Sequence, residues 1–180
     1  LNDCTAQFCD FVHIVEFTAE PFSFPEWFKY TFPEVIWSDR CVRDDTDIER
    51  RVNNTLLKGL VNDIEVFRCR GLIDETPHYQ QYLAQINAIR HKYPELLLGA
   101  GTFVYMDGFT CSNDEIIARG YANGNRLAIV ATTLAEEGAS GKIDVPGYRF
   151  VESSSIGDVF VNAGRLRLGQ HGITVLIYEK

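Results

Sequence analysis

The chain has 180 residues, with 25 Asp and Glu against 17 Lys and Arg and a net charge of −8. Its hydrophobic content of 46% excludes a disordered chain, and its acidic balance argues against nucleic acid or an anionic membrane as partner, since phosphate binding needs clustered cations. No run approaches the roughly 18 apolar residues needed to cross a bilayer. The length suits one domain, or a domain with a large appendage. The opening Leu1-Asn2-Asp3 has neither Met nor a secretory signal pattern, so a piece of a longer protein is expected.

The first predicted element is a strand over Phe11–Phe17, β-branched and aromatic, ending at Thr18-Ala19-Glu20-Pro21. From Pro21 to Pro33 there are three prolines, which forbid a long regular element, yet Phe22, Phe24, Trp27, Phe28, Tyr30 and Phe32 demand burial or a ligand. Glu34–Ser38 reads as a short strand with Asp39-Arg40 at its carboxyl end. A helix is expected from an N-cap at Asp47 to about Arg70, on the spacing of Ile48, Val52, Leu56, Leu60, Ile64 and Phe67, with Gly59 explained by close packing. A second helix is capped by Thr76, has Pro77 in its first turn, and is stopped by Pro94; Tyr79, Tyr82, Leu83, Ile86, Ile89 and Tyr93 form its apolar stripe.

Past Gly99 the period changes from 3.6 to 2. Strand-like runs are predicted at 102–106, 115–121, 126–133, 142–145, 148–152, 158–161, 165–168 and 173–178. Asn123-Gly124-Asn125 is the strongest hairpin signal, and Glu137–Gly141, Pro146-Gly147 and Ala163-Gly164 mark other turns. Short strands at such spacing, with no helix between them, predict an antiparallel sandwich. The charge also divides: residues 1–98 carry 16 acids and 10 bases, whereas residues 99–180 carry 9 and 7. The expected fold class is therefore α+β, with a partial α/β half containing two long helices (1–98) followed by an antiparallel β-sandwich (99–180).

Five cysteines (Cys4, Cys9, Cys41, Cys69, Cys111) and four histidines (His13, His78, His91, His171) show no CxxC spacing and no clustering, so neither a zinc site nor a disulfide framework is expected. Buried thiols are the simpler expectation, with a Cys4–Cys9 bridge left open for an oxidising compartment. The acidic run Asp44-Asp45-Thr46-Asp47 with Glu49 is accounted for as a solvated, dipole-favoured helix start without a metal. Asn53-Asn54-Thr55 matches a glycosylation sequon but falls inside a predicted helix. There is no GxSxG elbow, no GxxxxGK[ST] loop and no GxGxxG after a strand, and no cofactor is expected.

The passage Gly59–Arg68 resembles a late helix of a (β/α)₈ barrel, and Tyr82-Leu83 through Tyr93-Pro94-Glu95-Leu96-Leu97 resembles the final helix before an appended sandwich. Ile117-Ala118-Arg119, Arg126–Val130 and Leu168 to Tyr178 resemble the ladder of that sandwich. In layout the chain resembles the carboxyl-terminal region of an α-galactosidase-like or α-amylase-like glycoside hydrolase, with the end of a TIM barrel followed by its β-sandwich. A whole barrel needs roughly 200 residues, so at most two or three of its strands are expected here. The resemblance implies a carbohydrate substrate, the remainder of a longer parent chain as partner, and no activity for this part alone. The alternative is a non-catalytic carbohydrate- or protein-binding module.

Glycosidases act through two carboxyl groups flanking the scissile bond, and a barrel presents them at the carboxyl ends of strands. On that basis Asp39 and Glu20 are the candidate catalytic pair, with Glu16 an alternate strand position. Trp27, Trp37 and Tyr30 are candidates for stacking on sugar faces, and His13 for a hydrogen bond to a sugar hydroxyl. Each has a competing explanation: an Arg40 or Arg43 ion pair for Asp39, and core packing for the aromatics and His13.

Overall fold

The structure is a computed structural model; it describes residues 11–15 (backbone only), 26–40, 45–62, 72–99 and 101–180. The chain divides into two compact units, Leu1–Ala88 and Ile89–Lys180.

The first unit holds a parallel three-stranded sheet in sequential order, β1 (Phe11–Val15), β2 (Ile36–Arg40) and β3 (Val61–Asn62). Helices connect the strands: α1 (Glu26–Thr31) lies between β1 and β2, and α2 (Ile48–Leu57) between β2 and β3. Successive parallel neighbours joined by helices are the repeating unit of an α/β barrel. Among the described residues of the proline-rich passage, the helix α1 has six residues, in keeping with the bar on a long element. Strand β2 lies two residues later than predicted, so Asp39 and Arg40 are in the strand and not beyond it.

α2 differs from expectation at both ends. Asp47 stands at the N-cap position with φ 53° and makes no side-chain cap; its carboxylate instead takes Arg50 Nε at 2.6 Å. The helix stops at Leu57, not near Arg70, because Gly59 adopts φ 68° and turns the chain into Leu60 and β3. Gly59 thus acts as a helix stop. Ile64 and Phe67, which carried the longer helix, lie outside the described residues. The next helix, α3 (Pro77–Lys92), has the predicted extent, but its cap is different. The Thr76 hydroxyl donates backward to the Ile73 carbonyl at 3.0 Å. Asp45 supplies the cap, its two carboxylate oxygens accepting the backbone N–H of His78 (3.0 Å) and Tyr79 (2.7 Å). The acidic run therefore has a structural use, and no metal-ligating cluster occurs among the described residues.

The second unit starts with the last turn of α3 and α4 (Pro94–Leu97) and continues as two antiparallel sheets. The larger sheet has the order β4 (Thr102–Tyr105), β6 (Ile116–Asn123), β7 (Arg126–Thr133), β12 (Ile173–Glu179), β9 (Arg149–Ile156). The smaller runs β10 (Val159–Asn162), β11 (Arg165–Leu168), β8 (Ala139–Asp144), β5 (Thr110–Cys111). Ile129, Ala131, Leu176 and Tyr178 of the larger sheet and Ile143, Leu166 and Leu168 of the smaller share one core, which makes the pair a sandwich. The whole is α+β, a partial barrel-like half followed by the antiparallel body.

The Asn123-Gly124-Asn125 signal produces the β6–β7 hairpin, with Gly124 at φ 59°. In β7 and β12 both alternating sets are buried: Val130, Val175 and Ile177, which face away from the sandwich core, are 0% exposed. Such strands read as unbroken apolar runs because neither face meets water. α4 packs on β6 and β7 and is tied there by Asn123 Nδ2 donating to the Glu95 carbonyl at 2.8 Å and by an Arg126–Glu95 ion pair. Lys92 Nζ reaches Glu152 (2.7 Å) and the Ser154 hydroxyl (3.0 Å), fixing the end of α3 to β9. Cys111 is a free thiol beside the Asn113 carbonyl; the other four cysteines lie outside the described residues.

Candidate functional site

Four of the residues singled out for carbohydrate chemistry lie on two elements of the first unit, Trp27 and Tyr30 on α1 and Trp37 and Asp39 on β2. α1 is short, and a side chain fixes it: Lys29 Nζ donates to the carbonyls of Pro33 (3.1 Å) and Val35 (3.0 Å), tying the helix to the start of β2. Burial pushes the Lys29 ammonium down to about 8, with the nearby Glu34 carboxylate acting in the opposite sense. Lys29 is not among the residues that the sequence patterns single out. Its signal was a lone cation inside an aromatic, proline-rich passage, four residues before Pro33.

With α1 held this way, its aromatics separate. Phe28 turns inward and packs with Val35, Trp37 and Leu60. Trp27 is 60% exposed and Tyr30 49% exposed, so both offer ring surface to solvent. The ring centres of Trp27 and Phe28 are 3.7 Å apart, and Phe28 stacks on Trp37 at 5.7 Å. Trp37 is 1% exposed: it belongs to the core beneath the exposed pair and has no open ring face for a sugar.

Asp39 occupies the carboxyl end of β2, opposite Ile14 of β1 and Asn62 of β3. It is 1% exposed, and strand alternation puts it on the face that carries Val35 and Trp37. That face is the one packed with Phe28 and Leu60, and its Asn62 neighbour meets the helical layer, Oδ1 lying 3.0 Å from the Thr55 hydroxyl of α2. Ile36, on the opposite face, is 46% exposed. The backbone of His13 pairs with Ser38. Glu16 and Glu20 fall outside the described residues, as does the side chain of His13, so Asp39 is the one member of the candidate carboxylate pair with a described position.

The sequon is buried, with Asn53 2% and Thr55 0% exposed. Asn53 Oδ1 accepts the Tyr82 hydroxyl at 2.7 Å, joining α2 to α3, so this amide is a packing element and not a glycan acceptor in the folded chain.

No protein-family model matches the chain, and no curated protein matches it. Among solved structures, an α-amylase from H. orenii matches all of this chain and 52% of its own, with TM-score 0.57 and 10% identity. A GH30 endoxylanase from Clostridium papyrosolvens C71 matches 95% of this chain and 49% of its own, at TM-score 0.47 and 13% identity. A debranching enzyme from Nostoc punctiforme matches 87% of this chain and 37% of its own, at TM-score 0.48 and 14% identity. The chain spans about half or less of the length of these structures. Its fold is shared with part of a TIM-barrel glycoside hydrolase of the α-amylase kind.

Proposed function

We propose that the chain is the barrel-end and sandwich portion of a carbohydrate-active glycoside hydrolase, with the sandwich bracing a barrel that other segments complete. The single observation that carries this is the whole-chain match to the H. orenii α-amylase, covering 52% of that enzyme. Three sequential parallel strands followed by an antiparallel sandwich add to it. On this account residues 1–98 contribute barrel elements and residues 99–180 the sandwich, and the fragment alone hydrolyses nothing.

Trp27 and Tyr30 are the sugar-stacking aromatics of the proposal, because their rings are open while Trp37 supports them through Phe28. Glu20 stays as the candidate catalytic carboxylate and His13 as the hydroxyl partner. Asp39, buried on the Trp37 face, takes a positioning role at the strand end beside Asn62. The test compares the 180-residue chain with the full product of its reading frame on a panel of nitrophenyl glycosides. The longer product should hydrolyse at least one of them and the shorter none. Activity of the short chain removes the bracing role, and an inert long product removes the hydrolase.

A further inference from the structure

α1 is too short to hold itself. Its six residues are about half the length at which an isolated helix becomes even marginal in water, so contacts beyond its own backbone set its orientation. Two adjacent residues make them. Phe28 packs with Val35, Trp37 and Leu60, and Lys29 donates from Nζ to the carbonyls of Pro33 and Val35. Both carbonyls lie in the link between α1 and β2, so the ammonium braces the helix against the strand that follows. The two anchors do different work. Apolar burial is non-directional and resists withdrawal of the helix, whereas a pair of charge-assisted hydrogen bonds is directional and resists its rolling about its axis. Trp27 and Tyr30 flank the anchors, three positions apart and therefore on one side of the helix, and both are open to solvent.

We propose that Lys29 is the positioning residue of the stacking pair: by fixing the roll of α1 it holds the Trp27 and Tyr30 rings open side by side, without touching the ligand. The inference rests on the assignment of those rings to sugar stacking and goes beyond it by naming what sets their geometry. A pyranose face packs on a ring only where the ring plane is presented. One residue of a helix is a turn of about 100°, so a roll of that size would exchange the open positions for the buried ones. Rings already held in place bind without the cost of ordering them on contact. Lys29 is 8% exposed and directed at main-chain carbonyls, so its loss reaches a ligand only through the rings.

The test is calorimetric titration of the 180-residue chain with maltotetraose, with hydroxyl-radical footprinting of the same samples read by mass spectrometry. In the parent, the sugar should bind saturably and protect Trp27 and Tyr30 from oxidation, while buried Trp37 stays unreactive with or without it. Lys29→Met should weaken binding roughly fivefold or more and lose the protection at both rings, with Trp37 still unreactive. Lys29→Arg keeps donors for both carbonyls and should bind within about twofold of the parent. Trp27→Ala should weaken binding as Lys29→Met does. The positioning role is overturned if Lys29→Met binds like the parent while Trp27→Ala does not. It is also overturned if the arginine variant loses as much as the methionine one, or if Trp37 becomes reactive in Lys29→Met, since either marks a general disruption of the cluster. Absence of binding by the parent, or parent-like binding by Trp27→Ala, overturns the stacking assignment itself, and the inference falls with it.

Discussion

Asp45 accepts the backbone N–H of Tyr79 at 2.7 Å, across 34 positions of sequence. The first-turn amides of α3 are thereby satisfied by a carboxylate from the approach to α2, and the negative charge lies at the positive end of the helix dipole. Asp45→Ala should cost about 1–2 kcal/mol, the usual loss on removing a helix cap, and Asp45→Asn less. Urea unfolding followed by circular dichroism measures both; an unchanged midpoint for the alanine variant contradicts the assignment.

A second tie between the same helices is buried. With Asn53 accepting the Tyr82 hydroxyl, either single truncation strands a polar partner away from water, at about 1–3 kcal/mol. The double variant Asn53→Ala/Tyr82→Phe should therefore cost less than the sum of the two singles. A thermodynamic cycle from denaturant melts gives the coupling, and strict additivity would show that the two groups act independently.

Lys29 makes stability depend on pH with a definite sign. Its folded value is about 8 against 10.5 for the free side chain, chiefly through burial, so between those values the unfolded chain binds more protons than the folded one. Stability from this group rises as pH climbs from about 8 to 10.5. The phenols oppose it at higher pH: burial raises Tyr82 and pushes Tyr178 up to about 12, so their contribution is intact below pH 10 and is lost as pH rises toward the folded values. Lys29→Met should flatten the rise between pH 8 and 10 in a series of urea midpoints. A parallel shift of the curve, with the slope retained, would contradict this origin.

Burial separates two apolar residues of the sandwich unit. Ile129 is 0% exposed in the shared core, so Ile129→Ala should cost about 2–5 kcal/mol. Phe160 is 57% exposed, so Phe160→Ala should stay within about 0.5 kcal/mol of the parent. Thermal melts decide, and a large loss for Phe160→Ala would mean that its ring is structural.

These contrasts also mark how far the sequence could be read. β7 over 126–133, the Asn123-Gly124 turn and the Pro77–Lys92 helix follow from local rules, because hairpin glycines and helix-start prolines act through their own backbone. Local rules failed where partners come from afar. Thr76 looks like a cap, yet Asp45 takes the amides; Gly59 sits within an apolar stripe, yet its left-handed turn ends the helix. β8 begins at Ala139 inside the predicted 137–141 turn, because Gly138, with φ 75°, makes the turn and Gly141 is strand, where a Cβ would lie 2.9 Å from Ile116 Cδ1. β5, only two residues long, has no pattern to detect. At the candidate site, Trp27 and Trp37 are the same residue type in one aromatic passage. Trp27 lies on α1 with its ring open, whereas Trp37 lies on β2 in the cluster with Phe28, Val35 and Leu60, and no periodicity in so short a helix tells the two apart.

The most direct test of the account is a crystal structure of the full product of the reading frame with a bound oligosaccharide. The account predicts that β1, β2 and β3 continue into a closed parallel barrel and that a sugar ring contacts Trp27 or Tyr30 within about 4 Å. An open sheet, or a sugar seated at a distance from α1 with both rings turned to solvent, would contradict it.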